Sequence, residues 1–145
     1  MSSFENPSRE EIKAILEAAG NIAVVGLSDK SDRTSYMVSE ALQLRGYRII
    51  PVNPTVKADI LGEKTYASLK DIPEPVDIVN VFRRSEFTPE VAQEATEIGA
   101  KVLWLQLGVF SDEANRIAAD QGLTVIMDRC IKVEDAVTAP NRSNK

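Results

Sequence analysis

The sequence predicts a doubly wound α/β fold, a parallel sheet with helices on both faces. Three observations carry that expectation. Short runs rich in β-branched residues recur along the chain, apolar at consecutive positions, as suits strands covered on both sides. Between them lie segments of helical apolar periodicity, bounded by capping residues and glycines. The links are short, so strand and helix alternate from end to end.

The first helix opens on Ser8-Arg9-Glu10-Glu11, a capping box in which a hydroxyl precedes a glutamate by three positions. Ile12, Ile15, Leu16 and Ala19 follow on one helix face, and Gly20 closes it. Ile22-Ala23-Val24-Val25-Gly26 is the first strand, followed by a polar loop over 27–34. Met37, Val38, Ala41, Leu42 and Leu44 mark a second helix over about 35–45, ended by Gly46. Tyr47-Arg48-Ile49-Ile50-Pro51-Val52 is the second strand. Pro51 lacks a ladder donor, so it belongs near the strand end or on a side without a partner. Asn53-Pro54 ends the strand.

Residues 55–75 are less regular. Leu61-Gly62-Glu63-Lys64-Thr65-Tyr66 reads as a turn into a short extended piece, and 68–72 as one helical turn stopped by Pro73. Asp77-Ile78-Val79-Asn80-Val81-Phe82 is the third strand, with Arg83-Arg84 directly after it. Thr88-Pro89 offers an N-cap and an N1 proline to a helix faced by Val91, Ala92, Ala95 and Ile98. Val102-Leu103-Trp104-Leu105-Gln106 is the fourth strand. Ser111 caps a helix with Asp112 and Glu113 in its first turn, where the dipole favours acids. Leu123-Thr124-Val125-Ile126-Met127 is the fifth strand. Right-handed crossovers then give a single five-stranded Rossmann-like domain over 1–137, expected strand order 3-2-1-4-5. The polar residues 138–145 are expected to fray.

At 145 residues the chain can bury a core without disulfides or metals as staples. No apolar run approaches bilayer length, and residues 1–7 show no signal-peptide pattern, so a cytoplasmic, membrane-free protein is expected. Having no histidine removes Ser-His-Asp and Cys-His catalysis and any histidine-based zinc site. The single cysteine, Cys130, can form no internal disulfide and fits a reducing compartment. A net charge of −5 disfavours nucleic acid as partner. A polyanionic small molecule remains compatible if the bases gather in one place.

They do gather. Open α/β sheets bind ligands outside the carboxyl ends of their strands. Those positions carry Gly26, Ser28, Lys30 and Arg33; then Asn53 and Pro54; then Arg83, Arg84 and Ser85; then Gln106 and Gly108; then Asp128, Arg129 and Cys130. Gly26 permits a tight turn and close approach to a phosphate, the following helix N-terminus offers free N–H groups, and Ser28, Thr34 and Ser35 add hydroxyls. The dinucleotide fingerprint G-x-G-x-x-G fails, because Ser28 stands at its second glycine. The acid that would hold a ribose after strand two is replaced by Asn53-Pro54, so a nicotinamide cofactor is disfavoured. Arg83 stands where a receiver domain needs its phosphorylated aspartate, and no Walker A loop or G-x-S-x-G elbow is present.

Ala23-Val24-Val25-Gly26-Leu27-Ser28, Ile50-Pro51-Val52-Asn53-Pro54, Leu61-Gly62-Glu63-Lys64, Val81-Phe82-Arg83-Arg84-Ser85-Glu86, Leu105-Gln106-Leu107-Gly108-Val109 and Met127-Asp128-Arg129-Cys130 resemble, in order, the small stand-alone CoA-binding proteins of bacteria and archaea. Those are similar to the CoA-binding domain of the succinyl-CoA ligase alpha subunit. The resemblance spans roughly residues 10–135. It implies coenzyme A across the strand ends, with phosphates at Gly26, Ser28 and the loop to Ser35. Adenosine would be flanked by Asn53, Pro54, Phe82, Arg83 and Arg84. The ligase has a proline-rich segment where this chain has Arg83-Arg84, and a catalytic histidine domain for which this chain offers no histidine.

The resemblance therefore implies non-catalytic binding of CoA or acyl-CoA, as carrier, buffer or sensor. A nucleotide-cofactor enzyme using Asp128 or Glu86, and a module for an unidentified protein partner, are the alternatives. Cys130, beside Arg129, is a redox candidate for a mixed disulfide with the CoA thiol.

Overall fold

The computed structural model describes residues 4–142. Helix α1 (Arg9–Ala18) starts at the expected box: the Ser8 hydroxyl accepts from the Glu11 amide, and the Glu11 carboxylate accepts from the Ser8 amide. The order continues β1 (Asn21–Val25), α2 (Thr34–Leu44), β2 (Arg48–Val52), β3 (Ile78–Val81), α3 (Thr88–Glu97), β4 (Val102–Leu105), α4 (Asp112–Asp120), β5 (Thr124–Ile126) and α5 (Ile131–Thr138). Two 3-10 turns, Leu69–Asp71 and Ser85–Phe87, flank β3. Phe87, not Thr88, is the N-cap of α3, and Thr88 instead donates its hydroxyl to the Ser85 carbonyl at 2.7 Å.

All strand pairs are parallel. Alternate strand residues enter two separate core layers. Ala23, Val25, Val79, Val81, Leu103 and Leu105 pack with α3 and α4. Ile22, Val24, Ile78 and Trp104 pack with α1, α2 and α5.

The strand order is β2-β1-β3-β4-β5, which corrects the expected 3-2-1-4-5. Two local features decide it. The outer edge of β2 is already taken: the Tyr66 amide donates to the Pro51 carbonyl at 3.0 Å, and the Asn53 amide to the Tyr66 carbonyl at 2.9 Å. Backbone N and O of one residue share a side, so Pro51 turns its missing donor to that outer edge, as its chemistry requires. On the other side, the Asp77 carboxylate accepts from the amides of Gly20 at 2.8 Å and Asn21 at 2.9 Å. That clamp sets the start of β3 beside the start of β1.

Burial pushes the Asp77 carboxyl up, but the Asn21 and Gly20 amides and Lys101 together outweigh it and lower its pKa. A lowered native pKa contributes stability that is present above the unfolded value near ~3.9 and is lost as pH falls through the native value. Asp77→Ala should cost about 2–3 kcal/mol at neutral pH, since two amides lose a charged acceptor. Its urea midpoint should also drop less than that of the parent between pH 7 and pH 3. Equal acid sensitivity in the two proteins would remove Asp77 from that role.

Helix α5 was not anticipated, and the tail expected to fray from residue 138 is tied down through residue 142. Residues 143–145 of that tail lie outside the described residues. The buried carboxylates of α5 explain its docking. Glu134 pairs with Arg9 at 3.2 Å, while Asp135 accepts from Arg45 Nε at 2.9 Å and the Tyr47 hydroxyl at 2.7 Å. Burial first, and then the Asp135 contact, raise the Tyr47 phenol above its ordinary range, so it stays a neutral donor. Arg142 then lies 3.4 Å over the Tyr47 ring and donates to the carbonyls of Leu16 and Ala19 at the end of α1.

Candidate functional site

The corrected order moves the topological switch point to the gap between β1 and β3, where ligands bind in sheets of this order. Three strand ends converge there. The Gly26 amide donates to the Val52 carbonyl and the Phe82 amide to the Val25 carbonyl, each at 2.9 Å. Gly26 has φ +88°, and a Cβ at that position would stand 2.4 Å from the Phe82 carbonyl oxygen. Its glycine is demanded by this crossing itself.

Beyond Gly26 the loop is held by its own polar groups. The Ser28 amide donates to the Ser35 hydroxyl oxygen, the Lys30 amide to the Ser28 hydroxyl oxygen, and the Asn53 side-chain amide to the Leu27 carbonyl. Each serine oxygen thus accepts a hydrogen bond, and each hydroxyl still carries a proton it can donate. Helix α2 then begins at Arg33 with no side-chain cap and no acid in its first turn. Helices α1 and α4 are capped by Ser8 and Ser111, while α3 has no side-chain cap either. The uncapped end borders an open cleft of about 380 Å³ lined by Gly26, Ser28, Lys30, Arg33, Thr34, Ser35 and Phe82. Free N–H groups, hydroxyls and two cations with no acid among them form a place for an anion.

Next to it, at the ends of β1 and β2, a narrower slot of about 140 Å³ lies against α3. Val25, Val52, Pro54, Leu69, Phe87 and Val91 make its apolar walls, with Ser68, Arg83, Glu90 and Glu94 as polar members. Arg83 joins the two hollows. Its guanidinium lies 4.9 Å from the Phe87 ring centroid, and its Cδ is 3.4 Å from where a Gly26 Cβ would be.

The structure thus brings together Gly26, Ser28, Lys30, Arg33, Thr34, Ser35, Pro54, Phe82 and Arg83, with Asn53 bracing the loop from beneath. Other expected site residues sit elsewhere. Arg84 is exposed and lines neither hollow. Gln106 is buried, and its side-chain oxygen accepts from the Ile131 amide at 3.0 Å, capping α5. The Gly108 amide donates to Asp128 Oδ1 at 2.7 Å, which occupies the aspartate considered as an acid–base group. Arg129 borders a different hollow, with Phe4, Asn6 and Phe110, and bonds the Asp128 carbonyl. Cys130 is the N-cap of α5, half-buried against the core.

The residues missed by sequence reasoning are those of the slot wall on and before α3. Phe87, Glu90, Val91 and Glu94 recur at helical spacing, a signal that becomes readable only once β3 is placed beside β1. At the opposite edge of the sheet, a groove of about 210 Å³ is mainly apolar, and its two charges, Asp77 and Lys101, pair with each other at 3.5 Å. No helix among the described residues is long and apolar enough to cross a membrane.

A family model described as a CoA binding domain matches residues 20–136, which span both hollows. The chain belongs to the CoA-binding domain family. Among relatives, the uncharacterized protein YneT of Bacillus subtilis is 58% identical over 135 residues, covering 93% of this chain and 99% of YneT. The acetate–CoA ligase (ADP-forming) II alpha subunit of Pyrococcus furiosus is 28% identical over 77% of this chain, which spans only 27% of that subunit. A solved structure of a hypothetical protein from Pyrococcus horikoshii superposes with a TM-score of 0.89 at 33% identity, covering 96% of this chain and 99% of that one. CoA-binding domains thus occur both within ligases and as chains of about this length, and the fold is shared with the latter along almost its whole extent.

Proposed function

We propose that this CoA-binding domain holds coenzyme A or an acyl-CoA, without itself catalysing acyl transfer, as a cytoplasmic carrier, buffer or sensor. One observation carries the reading. The uncapped N-terminus of α2, with Lys30 and Arg33, opens beside a slot of mixed polarity at the ends of β1 and β2, next to the switch point of the sheet. CoA has matching parts: polyanionic phosphates and a flat purine with apolar faces and a polar edge. The phosphates sit at the α2 amides and the Ser28 and Ser35 hydroxyls. The adenosine enters the slot between Pro54 and Phe87, and Arg83 reaches a phosphate from the junction. The ligase chemistry of the longer relatives is not carried over.

The same geometry sets the choice of nucleotide. A nicotinamide dinucleotide needs a carboxylate after β2 to accept from its ribose hydroxyls. Asn53 stands there, and its side chain is spent: Nδ2 donates to Leu27, and Oδ1 accepts from the Thr55 amide and hydroxyl at 3.0 and 2.7 Å. Calorimetry should show CoA binding and NAD binding at least about tenfold more weakly, the loss of one charged hydrogen bond. Equal or tighter NAD binding would overturn the assignment.

A further inference from the structure

The two carboxylates of the slot have no role in holding a phosphate, and their position needs an explanation. Glu90 and Glu94 stand one turn apart on α3, and both line the slot. Glu94 is half-buried. One turn further along, Glu97 pairs with Lys70 at 3.4 Å. Among the described residues, Glu90 and Glu94 make no ion pair or side-chain hydrogen bond, although Arg83 lines the same slot and faces Phe87 instead. A polyanionic ligand would be repelled by free carboxylates near its phosphates. These two come from the α3 wall, whereas the anion cleft is lined by the β1–α2 loop and Phe82.

A carboxylate accepts hydrogen bonds and cannot donate them. Beside the apolar side chains of a mixed slot of about 140 Å³ it selects for a flat group that carries N–H donors on its edge. We propose that Glu94, supported by Glu90, determines base specificity by accepting from the exocyclic amine of a 6-aminopurine. A 6-oxopurine in the same slot would set an oxygen where the amine stood, and its one donor on that edge, N1–H, would reach the carboxylate only by a shift of the base, so it would bind more weakly. This rests on the reading that the slot takes the base of CoA, and adds which base it admits.

The test compares CoA with its deaminated analogue, in which hypoxanthine replaces adenine at nearly unchanged shape. By competition or calorimetry the wild-type protein should bind the analogue about tenfold or more weakly, since a charged acceptor then meets an acceptor. Glu94→Gln, whose amide can donate to the 6-oxo group, should bring the two ligands to within about threefold, with Glu90→Gln shifting the ratio less. Glu90 is exposed and Glu94 half-buried, neither in the core, and circular dichroism and the urea midpoint confirm that each variant is folded. Equal binding of CoA and the analogue by wild type, or a ratio unchanged in the double Gln variant, overturns the specificity role while CoA binding stands. If neither ligand binds wild type, the slot is not a CoA site, and the proposed function fails together with this inference.

Discussion

Gly26→Ala should lose about 3 kcal/mol of stability, because two penalties of roughly 1–3 kcal/mol each, a positive φ and an overpacked contact, fall on one residue. The φ of +88° strains any L side chain, and the added Cβ would meet the Phe82 carbonyl at 2.4 Å. The obstacle is backbone, which cannot swing aside as a side-chain tip can. Relief requires β1 and β3 to part where the Phe82 amide bonds the Val25 carbonyl. That parting widens the switch point, so CoA binding should fall with the fold. Urea denaturation measures the first effect, and calorimetry on the folded fraction measures the second. A loss below about 1 kcal/mol, within the range of an ordinary surface change, would mean that the crossing relaxes easily and that Gly26 is not a keystone.

Arg83→Ala should weaken CoA binding by about 1.5–3 kcal/mol, or roughly 10- to 100-fold, the value of a charge-assisted phosphate contact. Arg84→Ala should change it by less than about 0.5 kcal/mol. The sequence offers no ground to separate these neighbours. The structure does: Arg83 is half-buried and lines the slot beside Gly26, and Arg84 is exposed and lines neither hollow. Neither change should lower the urea midpoint appreciably, because both follow β3 in a loop. The Arg83 effect should also shrink with added salt, as screening weakens any contact with phosphate. Equal effects of the two substitutions would show that the cluster acts through its general field and not through one contact.

Much of the fold was legible because its signals are local. The strands announce themselves as apolar runs, and the capping box at Ser8 and the cap at Ser111 are short-range chemistry readable from the residue types alone. Strand order was not local. It turned on Asp77 reaching Gly20 and Asn21, far back along the chain, and on Tyr66 returning to the outer edge of β2. Helix α5 was equally hidden. Glu134 and Asp135 look like solvated acids until Arg9, Arg45 and Tyr47 close over them.

The sequence by itself determined the fold class, the sheet edge at which the two hollows lie, and the loop from Gly26 to Ser35 to which the proposed function assigns the phosphates. These follow from periodicity and from residue types next to one another. Only the tertiary structure decided which of the expected residues share one cleft. Gln106 and Gly108 are consumed in fastening α5 and the β4 loop, whereas Glu90 and Glu94, unremarked in the sequence, line the slot. The physical reason is that a side chain after a strand can turn inward as a cap or outward to a ligand. That choice is made by the partner it meets across the sheet, and the partner's position depends on strand order.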